Sequence, residues 1–504
     1  MVLLKNYDVI FIHPPRLLEP DYRKHAKYVR GTFIFIPMGL FAIADILERE
    51  GFGVRIINYP LEKYLNRNWS LIDELKHINF KICGIDLHWI HNAYGAIEVA
   101  KIVKEVSPNA KVLFGGFSAS YYHNQILKNY NMIDGVIRGE GEIPFLRYAE
   151  NASKNNSLDM VPNLSYRNSS GHIKINPISY VANSLDELNF TNVSFLKSAK
   201  QYFEYSRKIM GISFNLPIGR GCPFNCPFCG GGRNALQSFT ERKKVILRSP
   251  EKVIEDITNI LDKYKIPSIF FGHGVYPSNL AYWKRLFKLI QEEKFDIGGD
   301  LEIWRLPFPK EMWNLFYKTF NLKYSSISIS PRIMSAKVHQ KIAQICDPTF
   351  YFPIHLIRDL IKNAILYQIT LRIWMTVGFP FQTRLDVIKD FIFALKSLLK
   401  YGKSKLMPIT IMNEPYFVFP GAPAYESPEL YEMSLRYKSF PELVEVFKRS
   451  KPLFNRLLSC NNYGTNYLSQ TSIRYLNLLF SLVTLPMLLT STSNTLNIRK
   501  EKMI

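Results

Sequence analysis

One glycine- and proline-rich loop, residues 219–232, constrains this chain more than any other stretch, because it brings three of the six cysteines together. Its sequence, GRGCPFNCPFCGGG, spaces the cysteines as CxxxCxxC. So much Gly and Pro is incompatible with the interior of a helix or strand. Three thiols held this close in a loop predict a ligand role, and the candidate ligands are Cys222, Cys226 and Cys229.

Two kinds of site remain open for these thiols. A structural zinc ion takes four protein ligands, usually from nearby Cys or His residues. No His follows the loop until His273 and no Cys until Cys346, so the triad looks incomplete for zinc. An iron–sulfur cluster is held by thiolates, and three of them leave one iron free for a substrate or cofactor. The spacing favours the cluster, with a zinc site or three unrelated thiols as the alternatives.

The first 150 residues alternate short apolar runs with segments of helical periodicity. The predicted strands are 8–12, 54–57, 82–86, 111–114 and 135–138, and the clearest helices are 38–50 and 93–106. Such alternation is typical of a parallel sheet with helices on its faces. The pattern predicts a Rossmann-like, flavodoxin-like α/β domain over residues 1–150, whose ligands lie beyond the carboxyl ends of the strands.

A second run of alternation begins at the cysteine loop, after residues 151–210, which carry Asn- and Ser-rich segments and mixed short strands and are predicted to be a linker. Six βα units are predicted over residues 211–412, with strands 213–218, 268–271, 297–302, 325–330, 371–377 and 405–412. They predict a partial (β/α)6 barrel. In barrels of this type the chemistry gathers at the carboxyl ends of the strands.

The alternation stops near residue 413, and residues 413–504 are predicted to form a mainly helical C-terminal cap. Its first part is an aromatic, proline-rich loop, residues 415–425, which we expect to pack near the open barrel mouth. Helices are predicted over residues 440–458 and 471–485, followed by a disordered tail rich in Ser, Thr and Asn.

The cysteine motif, with the aromatic Phe228 directly before its third cysteine, resembles that of the radical S-adenosylmethionine (SAM) superfamily. The resemblance implies a 4Fe-4S cluster on Cys222, Cys226 and Cys229, whose open iron binds the amino and carboxylate groups of SAM. It further implies that the reduced cluster splits SAM into methionine and a 5′-deoxyadenosyl radical, which takes hydrogen from an unactivated carbon. The partial barrel is typical of these enzymes, and a reductant such as ferredoxin or flavodoxin is the implied electron donor.

The resemblance also assigns SAM contacts to the end of the second barrel strand. Gly272, His273 and Gly274 stand where the family often carries a GGE-like motif that contacts the SAM amino group. His273 departs from that motif, so backbone carbonyls would provide more of this contact. A histidine buried in the core is an equal alternative for this position.

Two further strand ends are matched to SAM. Gly378 and Pro380, in the sequence VGFPFQT over residues 377–383, match the family's G-x-P-x-x-T segment near the adenine. Ser330, together with Ser328, is expected to reach the ribose or the carboxylate of SAM. Serines at strand ends often serve only as turn formers, which is the alternative here.

Three features at strand ends of the first domain resemble the cobalamin-binding domain that precedes many radical SAM domains. They are Pro14 in a Pro-Pro pair after the first strand, Gly115 and Gly116 after the fourth, and the sequence RGEGE after the fifth, which contains Gly139 and Glu140. Glycines there let the backbone approach a flat, bulky ligand closely. The resemblance therefore implies cobalamin contacts at these residues.

One element of the methionine-synthase branch is missing, the DxHxxG sequence after the first strand that supplies a histidine ligand to cobalt. His13 is the nearest candidate, but two prolines follow it instead of that context. Asp86 and His88 follow the third strand, which is the wrong loop. The resemblance thus implies cobalamin without a histidine ligand, or a domain that keeps the fold and has lost the cofactor.

The formal charge of +22, from 64 Lys and Arg against 42 Asp and Glu, suits nucleic acid, an anionic membrane or a phosphorylated substrate equally well. No appended RNA-binding motif is visible, so we expect no nucleic-acid partner. An electron carrier would need neither a six-unit barrel nor an adenine segment. The few cysteines and the strand-like N-terminus without a signal-peptide pattern predict a cytoplasmic protein.

The C-terminal third suggests the substrate. Residues 475–489 are an apolar run broken by Pro486, shorter than the roughly 20 residues of a membrane span, so an interfacial helix is predicted. The high usage of Lys, Ile, Tyr and Asn resembles that of thermoacidophilic archaea, where enzymes of this two-domain type include the tetraether-lipid ring synthases and calditol synthase. By that similarity the predicted activity is radical modification of an archaeal membrane lipid at the bilayer surface, forming rings or a calditol head group. The alternative is a cobalamin-dependent radical SAM methyltransferase acting on a peptide or small metabolite.

Overall fold

The computed structural model describes residues 5–16, 34, 36–205, 214–401, 409–449 and 461–484, and two sheets built mainly of parallel strands organise them. The first sheet has seven strands, β1 (Val9–His13), β2 (Val54–Asn58), β3 (Ile82–Asp86), β4 (Lys111–Gly115), β5 (Gly135–Ile137), β6 (Leu164–Arg167) and β7 (Ile173–Ile175). Their order across the sheet is β2-β1-β3-β4-β5-β6-β7. The first five are parallel in the flavodoxin-like order 2-1-3-4-5, which confirms the predicted fold class.

Helices pack on both faces of this sheet. They are α1 (Met38–Arg49), α2 (Tyr59–Leu65), α3 (Leu71–Lys76), α4 (Ala93–Val106), α5 (Phe117–Asn129) and α6 (Glu142–Ser153). Because side chains alternate along a strand, Val9 and Phe11 pack with α1 and α6, whereas Ile10 and Ile12 pack with α4 and α5. Burial on both faces explains why β1 is an unbroken apolar run.

The prediction of a linker over residues 151–210 is wrong for residues 164–175, because these residues extend the first sheet. β6 pairs antiparallel with β5, and β7 pairs antiparallel with β6. The polar residues 168–172 that look like linker sequence form the turn of this hairpin, where His172 N–H bonds to the side chain of Asn168 at 2.8 Å. The sheet therefore has seven strands rather than five, and a short helix, α7 (Ala199–Tyr205), follows it.

The second sheet is the predicted barrel of six parallel strands in sequential order. These are β8 (Phe214–Leu216), β9 (Ser268–Phe271), β10 (Gly298–Ile303), β11 (Ser326–Arg332), β12 (Thr370–Met375) and β13 (Ile409–Asn413). The helices are α8 (Arg233–Thr240), α9 (Pro250–Lys263), α10 (Leu280–Glu293), α11 (Lys310–Thr319), α12 (Ala336–Ile345), α13 (Ile354–Leu366) and α14 (Arg384–Tyr401). The sequence analysis did not predict α8 or α12.

The C-terminal region is helical but does not only cap the barrel. It contains α15 (Pro423–Glu426), α16 (Phe440–Arg449), α17 (residues 470–484) and a two-stranded ribbon of Met433–Leu435 with Tyr463–Thr465. Phe440 and Phe447 of α16 pack into the core formed by α4 and α5 of the first domain. The predicted ends of the last two helices, residues 450–458 and 485, the end of the apolar run at 489, the first residues of the last barrel strand (405–408) and the tail lie outside the described residues. Within the described ranges, no helix has the length and apolar character needed to cross a membrane.

Candidate active site

The cysteine loop begins at the carboxyl end of β8 and is folded tightly by its own backbone. Cys229 N–H donates to the carbonyl of Cys226 at 3.2 Å, and Gly232 N–H donates to the carbonyl of Cys229 at 3.3 Å. Burial, with the neighbouring Cys229, raises the pKa of the Cys222 thiol to about 12. Burial, with the neighbouring Cys226, likewise raises the pKa of Cys229 to about 11. The three thiols therefore lie close enough to influence one another, as a shared cluster requires.

The donor set fits an iron–sulfur cluster better than zinc. In the part of the chain that the structure describes, no three His, Cys, Asp or Glu side chains are close enough to share one metal ion. Cys346 lies near Cys226, but its thiol is hydrogen-bonded to the hydroxyl of Tyr431. Three thiolates without a fourth ligand match a cluster that keeps one iron open.

Arg305 is a site residue that the sequence analysis missed. It is 5 % exposed, and its Nη2 lies 3.4 Å from Sγ of Cys226 and 3.1 Å from Oδ2 of Asp347. The same Oδ2 accepts the backbone N–H of Asn225 at 2.8 Å, and the guanidinium lies 3.9 Å from the ring of Phe224. The Arg305–Asp347 pair thus holds the cysteine loop and places a positive charge beside a cluster ligand. The only sequence signal was a charged residue just beyond a barrel strand.

The barrel mouth beside the thiols is charged. Arg332 ends β11 at a register shift with a positive φ of 71°, a conformation that is costly for a non-glycine residue and typical of functional sites. It pairs with Glu414, and its guanidinium lies 4.7 Å from the ring of Tyr416. Tyr416 in turn lies 4.6 Å from the ring of Phe228 in the cysteine loop. Glu302 is also here, and burial raises its pKa.

The predicted SAM residues at the end of β9 lie directly behind the cysteine loop. His273 is 3 % exposed, and burial lowers its pKa to about 4, so its imidazole is neutral. Its ring lies 4.4 Å from that of Trp304, and a Cβ on Gly219 would come within 2.7 Å of it. Trp304 also presses on Gly274, where no side chain would fit. These residues support the loop, and SAM contact by Gly272, His273 and Gly274 stays a prediction.

The segment containing Gly378 and Pro380 is covered by α17. The N–H of Gly378, at φ 91°, donates to Oε1 of Gln382 at 2.8 Å, and a Cβ there would meet Ile473 at 2.9 Å. Packing therefore accounts for this glycine, and its adenine contact stays a prediction. Ser330 is partly exposed just before the register shift in β11, whereas Ser328 is buried. Of the two serines, Ser330 is the one open to a ligand.

The carboxyl ends of β1 and β3 meet in a histidine–carboxylate pair. His13 Nδ1 lies 2.8 Å from Oδ2 of Asp86, whose Oδ1 accepts the N–H of His88 at 3.1 Å. The ring of His88 lies 4.5 Å from that of Phe117, which begins α5. Residues that the sequence placed in separate loops are therefore neighbours at one edge of the sheet.

This edge fits a flat, bulky ligand. Gly116 has φ 102°, and a Cβ there would come within 2.7 Å of the backbone of His88, so only glycine allows the turn. A Cβ on Gly115 would meet nothing closer than 3.9 Å, which leaves space above the strand. Trp89 is 48 % exposed close by. The carbonyl of Pro14 is held by Asn92 Nδ2 at 2.8 Å.

Glu140, expected at cobalamin, has a carboxylate with partners in the protein, and its cobalamin contact stays a prediction. Its carboxylate pairs with Nε of Arg242 and with Nη1 of Arg220 at 2.8 Å, and it accepts the N–H of Ala182 at 2.9 Å. Arg220 also pairs with Glu142 at 2.7 Å. The carboxylate is thus already engaged by the second domain, and we call these four side chains, Glu140, Glu142, Arg220 and Arg242, the interdomain ion cluster.

Gly139, also expected at cobalamin, packs between the domains. It has φ 67°, and a Cβ there would lie 3.3 Å from Thr240 of α8. Its N–H donates to Oγ of Ser120 at 2.8 Å. The close approach of α8 explains the glycine without a ligand, and a cobalamin contact at Gly139 stays a prediction.

Two family models match the chain in the order that the structure displays. The B12 binding domain matches residues 30–149, and the radical SAM superfamily matches residues 216–391. The first match covers β2 to β5 and the Gly115–Gly116 edge, and the second covers the cysteine loop and most of the barrel. The chain is a cobalamin-binding radical SAM enzyme. Its cofactors are a 4Fe-4S cluster, SAM and cobalamin.

Relatives of this enzyme include proteins named as methyltransferases. An uncharacterised methyltransferase of Pyrococcus horikoshii is 27% identical over 390 residues, which is 77% of this chain and 79% of the relative. The hopanoid C-3 methylase of Methylococcus capsulatus is 26% identical over 255 residues, 50% of this chain and 45% of the relative. This chain thus aligns with less than half of the length of the hopanoid enzyme.

A solved structure has the same architecture. The radical SAM methyltransferase TsrM from Kitasatospora setae, with cobalamin and a [4Fe-4S] cluster bound, aligns over 97% of this chain and 89% of its own with a TM-score of 0.65. The sequence identity is 13%, so this likeness concerns the fold. It confirms the fold of a Rossmann-like domain, a partial barrel and a helical C-terminal region over nearly the whole chain.

Proposed function

We propose that this radical SAM enzyme is a cobalamin-dependent methyltransferase that uses electrons from a ferredoxin- or flavodoxin-type reductant. The relatives described above carry methyl transfer in their names, which supports this activity over the formation of lipid rings or a calditol head group.

One contact carries the proposal, because the cysteine loop lies directly against the cobalamin-binding edge. A Cβ on Gly231 would come 3.4 Å from the ring of Phe117 and 3.8 Å from Sγ of Cys229. Phe117 directly follows Gly116 at the carboxyl end of β4. A single aromatic ring therefore separates a cluster ligand from that edge, so that both cofactors serve one reaction space.

The chain positions the two cofactors and shields the reaction from water. When bound, the cluster supplies the electron that splits SAM, and cobalamin supplies a methyl group. Arg305 and Asp347 hold the loop around Cys226, and the interdomain ion cluster holds the start of the same loop on the first domain. The buried rings of Phe228 and Phe379, 5.3 Å apart, keep water from the loop's inner side.

The barrel mouth supports a polar acceptor. Arg332, Glu414 and Glu302 lie beside the thiols, and such charges favour a ligand that carries complementary charge or hydrogen-bonding groups. The aromatic loop, residues 415–425, only partly faces this mouth: Tyr416 lies there against Phe228, whereas Phe417 packs on the first domain. Phe417 lies 5.0 Å from His91 of the first domain, and its side chain is 4 % exposed.

The co-products of SAM test this proposal. We expect the reconstituted, reduced protein to form S-adenosylhomocysteine and 5′-deoxyadenosine in roughly equal amounts, because each transferred methyl uses one SAM as donor and one as radical source. With SAM carrying a trideuterated methyl group and a metabolite extract of the host, mass spectrometry should find one product whose new methyl group carries three deuterium atoms. Protein without cobalamin is the control and should form 5′-deoxyadenosine alone. Formation of 5′-deoxyadenosine by the complete enzyme with neither S-adenosylhomocysteine nor a labelled acceptor would contradict methyl transfer.

An exposed apolar face supports a second proposal, which is that the protein associates peripherally with an anionic membrane surface. The face consists of Leu385, Ile388, Ile392, Leu395 and Leu399 on α14 with Tyr475, Leu479 and Leu482 on α17. The two helices touch through Phe391 and Phe480, whose ring centroids are 4.8 Å apart. Lys389, Lys396 and Lys400 are exposed along the same side of α14. An apolar stripe flanked by lysines is typical of a helix at an anionic bilayer surface.

Vesicle flotation tests this association. We expect the protein to float with phosphatidylglycerol vesicles and not with phosphatidylcholine vesicles, because both the apolar stripe and the lysines contribute. The double variant Ile388→Glu/Leu395→Glu should lose flotation. Met160→Glu, at a residue of the first domain that is 88 % exposed, is the matched control and should float like the wild type. Equal flotation of the double variant would show that this face does not bind the membrane.

A further inference from the structure

Arg138 is a buried cation at the carboxyl end of β5, where the RGEGE sequence begins. Its side chain is 9 % exposed. Nη2 donates to the carbonyl of Asn176, and Nε is buried without a hydrogen-bond partner. Neutral groups therefore accept hydrogen bonds from only some of the N–H donors of the guanidinium.

No carboxylate compensates this charge among the residues that the structure describes. The other buried arginines all have an acidic partner: Arg242 with Glu140, Arg248 with Asp256 and Arg305 with Asp347. For Arg138 burial is the one influence on its pKa, which it lowers. A buried charge without a counter-charge is strongly destabilising, so a protein that keeps one has a use for it.

Arg138 is among the residues that line an open cavity of about 300 Å³ between the two domains. Ser120 and His123 of α5 and Ser238 of α8 line it as well. Burial and Arg138 lower the pKa of His123 to about 4, so the imidazole adds no charge. Glu426 is the acid of the lining, and its Oε1 is occupied by the hydroxyl of Tyr121 at 2.8 Å and the N–H of Gly421 at 3.2 Å.

The cavity adjoins the edge that holds cobalamin. Ser120 Oγ donates to the carbonyl of Gly116 at 2.8 Å and accepts the N–H of Gly139 at 2.8 Å. One lining residue thus connects the ends of β4 and β5. Ser120 and Arg138 line the same cavity, so a ligand that extends from the Gly115–Gly116 turn past Ser120 would enter it.

We propose that Arg138 binds the phosphodiester of the nucleotide tail of cobalamin. A guanidinium donates charge-assisted hydrogen bonds to phosphate oxygens, and the hydroxyl of Ser238 offers a further donor. A phosphate ester carried by the substrate has the same chemistry and is the other possible source. The inference rests on cobalamin binding and not on methyl transfer, so it is tested without turnover.

Binding of two corrinoids by cofactor-free protein tests the site. Hydroxocobalamin carries the phosphodiester tail and diaquacobinamide lacks it. We expect Arg138→Met to weaken hydroxocobalamin binding at least about tenfold, the usual worth of a charge-assisted hydrogen bond, and to leave diaquacobinamide binding unchanged. Arg138→Lys should retain part of the difference, because it keeps the charge and loses the fork. Equilibrium dialysis with absorbance detection gives both affinities.

Arg167→Met is the matched control, because Arg167 lies on the neighbouring β6 and bonds only to carbonyls, those of Gly171 at 3.1 Å and Leu127. It should change neither affinity.

If Arg138→Met binds both corrinoids normally but loses the thermal stabilisation that inorganic phosphate gives the wild type, the anion site stands and the ester belongs to the substrate. Equal weakening of both corrinoids, or unchanged binding of corrinoids and phosphate, overturns the proposal. If Arg138→Met does not fold, the Arg138→Lys comparison decides, and equal weakening of hydroxocobalamin and diaquacobinamide binding in that variant overturns the phosphate contact.

Discussion

Replacing any one of Cys222, Cys226 and Cys229 with alanine is expected to abolish cluster binding and SAM cleavage while the chain keeps its fold. Each thiolate is one of three protein ligands, so losing one leaves a second iron of the cluster without a protein ligand. The loop keeps its shape because its support comes from other groups, such as the Asp347 carboxylate that accepts the Asn225 N–H. Iron and sulfide content, 5′-deoxyadenosine formation and circular dichroism measure the three parts of this expectation.

Cys346→Ala is the matched control for these variants. Burial and the nearby Cys226 raise the pKa of the Cys346 thiol, and this thiol is hydrogen-bonded to Tyr431. We expect Cys346→Ala to keep the iron content and SAM cleavage of the wild type. A motif variant that retained full iron content and activity would contradict the assignment of the cluster, and loss of iron in Cys346→Ala would identify a fourth ligand.

The sequence predicted the two sheets well because their signals are local. A run such as 9–12 is apolar at every position, and the following helix has its own period, so each element can be recognised without its neighbours. The strand order then follows from the short right-handed connections of such folds. The hairpin of β6 and β7 was missed because its pairing with β5 joins a sheet edge to a distant polar segment, and no local periodicity encodes that pairing.

The site was predicted only where one short motif contains it. The three cysteines lie within eight residues, whereas Arg305 lies 79 residues from the Cys226 that it contacts. Glu140 lies 80 residues from Arg220 and 102 from Arg242. The sequence does not show whether a charged residue that follows a strand contacts a ligand or another side chain. It therefore could not show that the carboxylate of Glu140 pairs with two arginines.

Glu140→Gln is expected to lower the free energy of unfolding by about 3–5 kcal/mol, the usual cost of removing one partner from a buried ion pair. Arg242 is 4 % exposed and would be left without its carboxylate, while Arg220 would keep Glu142. Because Arg220 is two residues from Cys222, we also expect slower cluster reconstitution. Guanidinium denaturation followed by tryptophan fluorescence measures the stability, and the rate of cluster absorbance recovery measures the second effect.

Acidic pH should diminish the difference between Glu140→Gln and the wild type. Burial alone would raise the pKa of Glu140, but the bond to Arg242 and the charges of Arg220 and Arg242 outweigh it and hold the pKa below its usual value. For a carboxyl whose pKa is lowered by folding, the stabilisation is complete above the unfolded pKa and is lost as the pH falls through the folded pKa. Denaturation curves at neutral and acidic pH therefore separate loss of charge from loss of packing.

Two further variants serve as controls for the unfolding free energy of Glu140→Gln. Glu150→Gln removes a carboxylate whose partner, Arg147, is exposed, and should cost less than about 1 kcal/mol. Glu140→Gln/Arg242→Gln removes both buried charges and should recover part of the stability lost in the single variant, because no uncompensated cation remains between the domains. If Glu140→Gln costs no more than Glu150→Gln, the interdomain ion cluster does not hold the cysteine loop against the first domain. The orientation of the two cofactors must then depend on the packing of Gly231 against Phe117 and of Gly139 against Thr240.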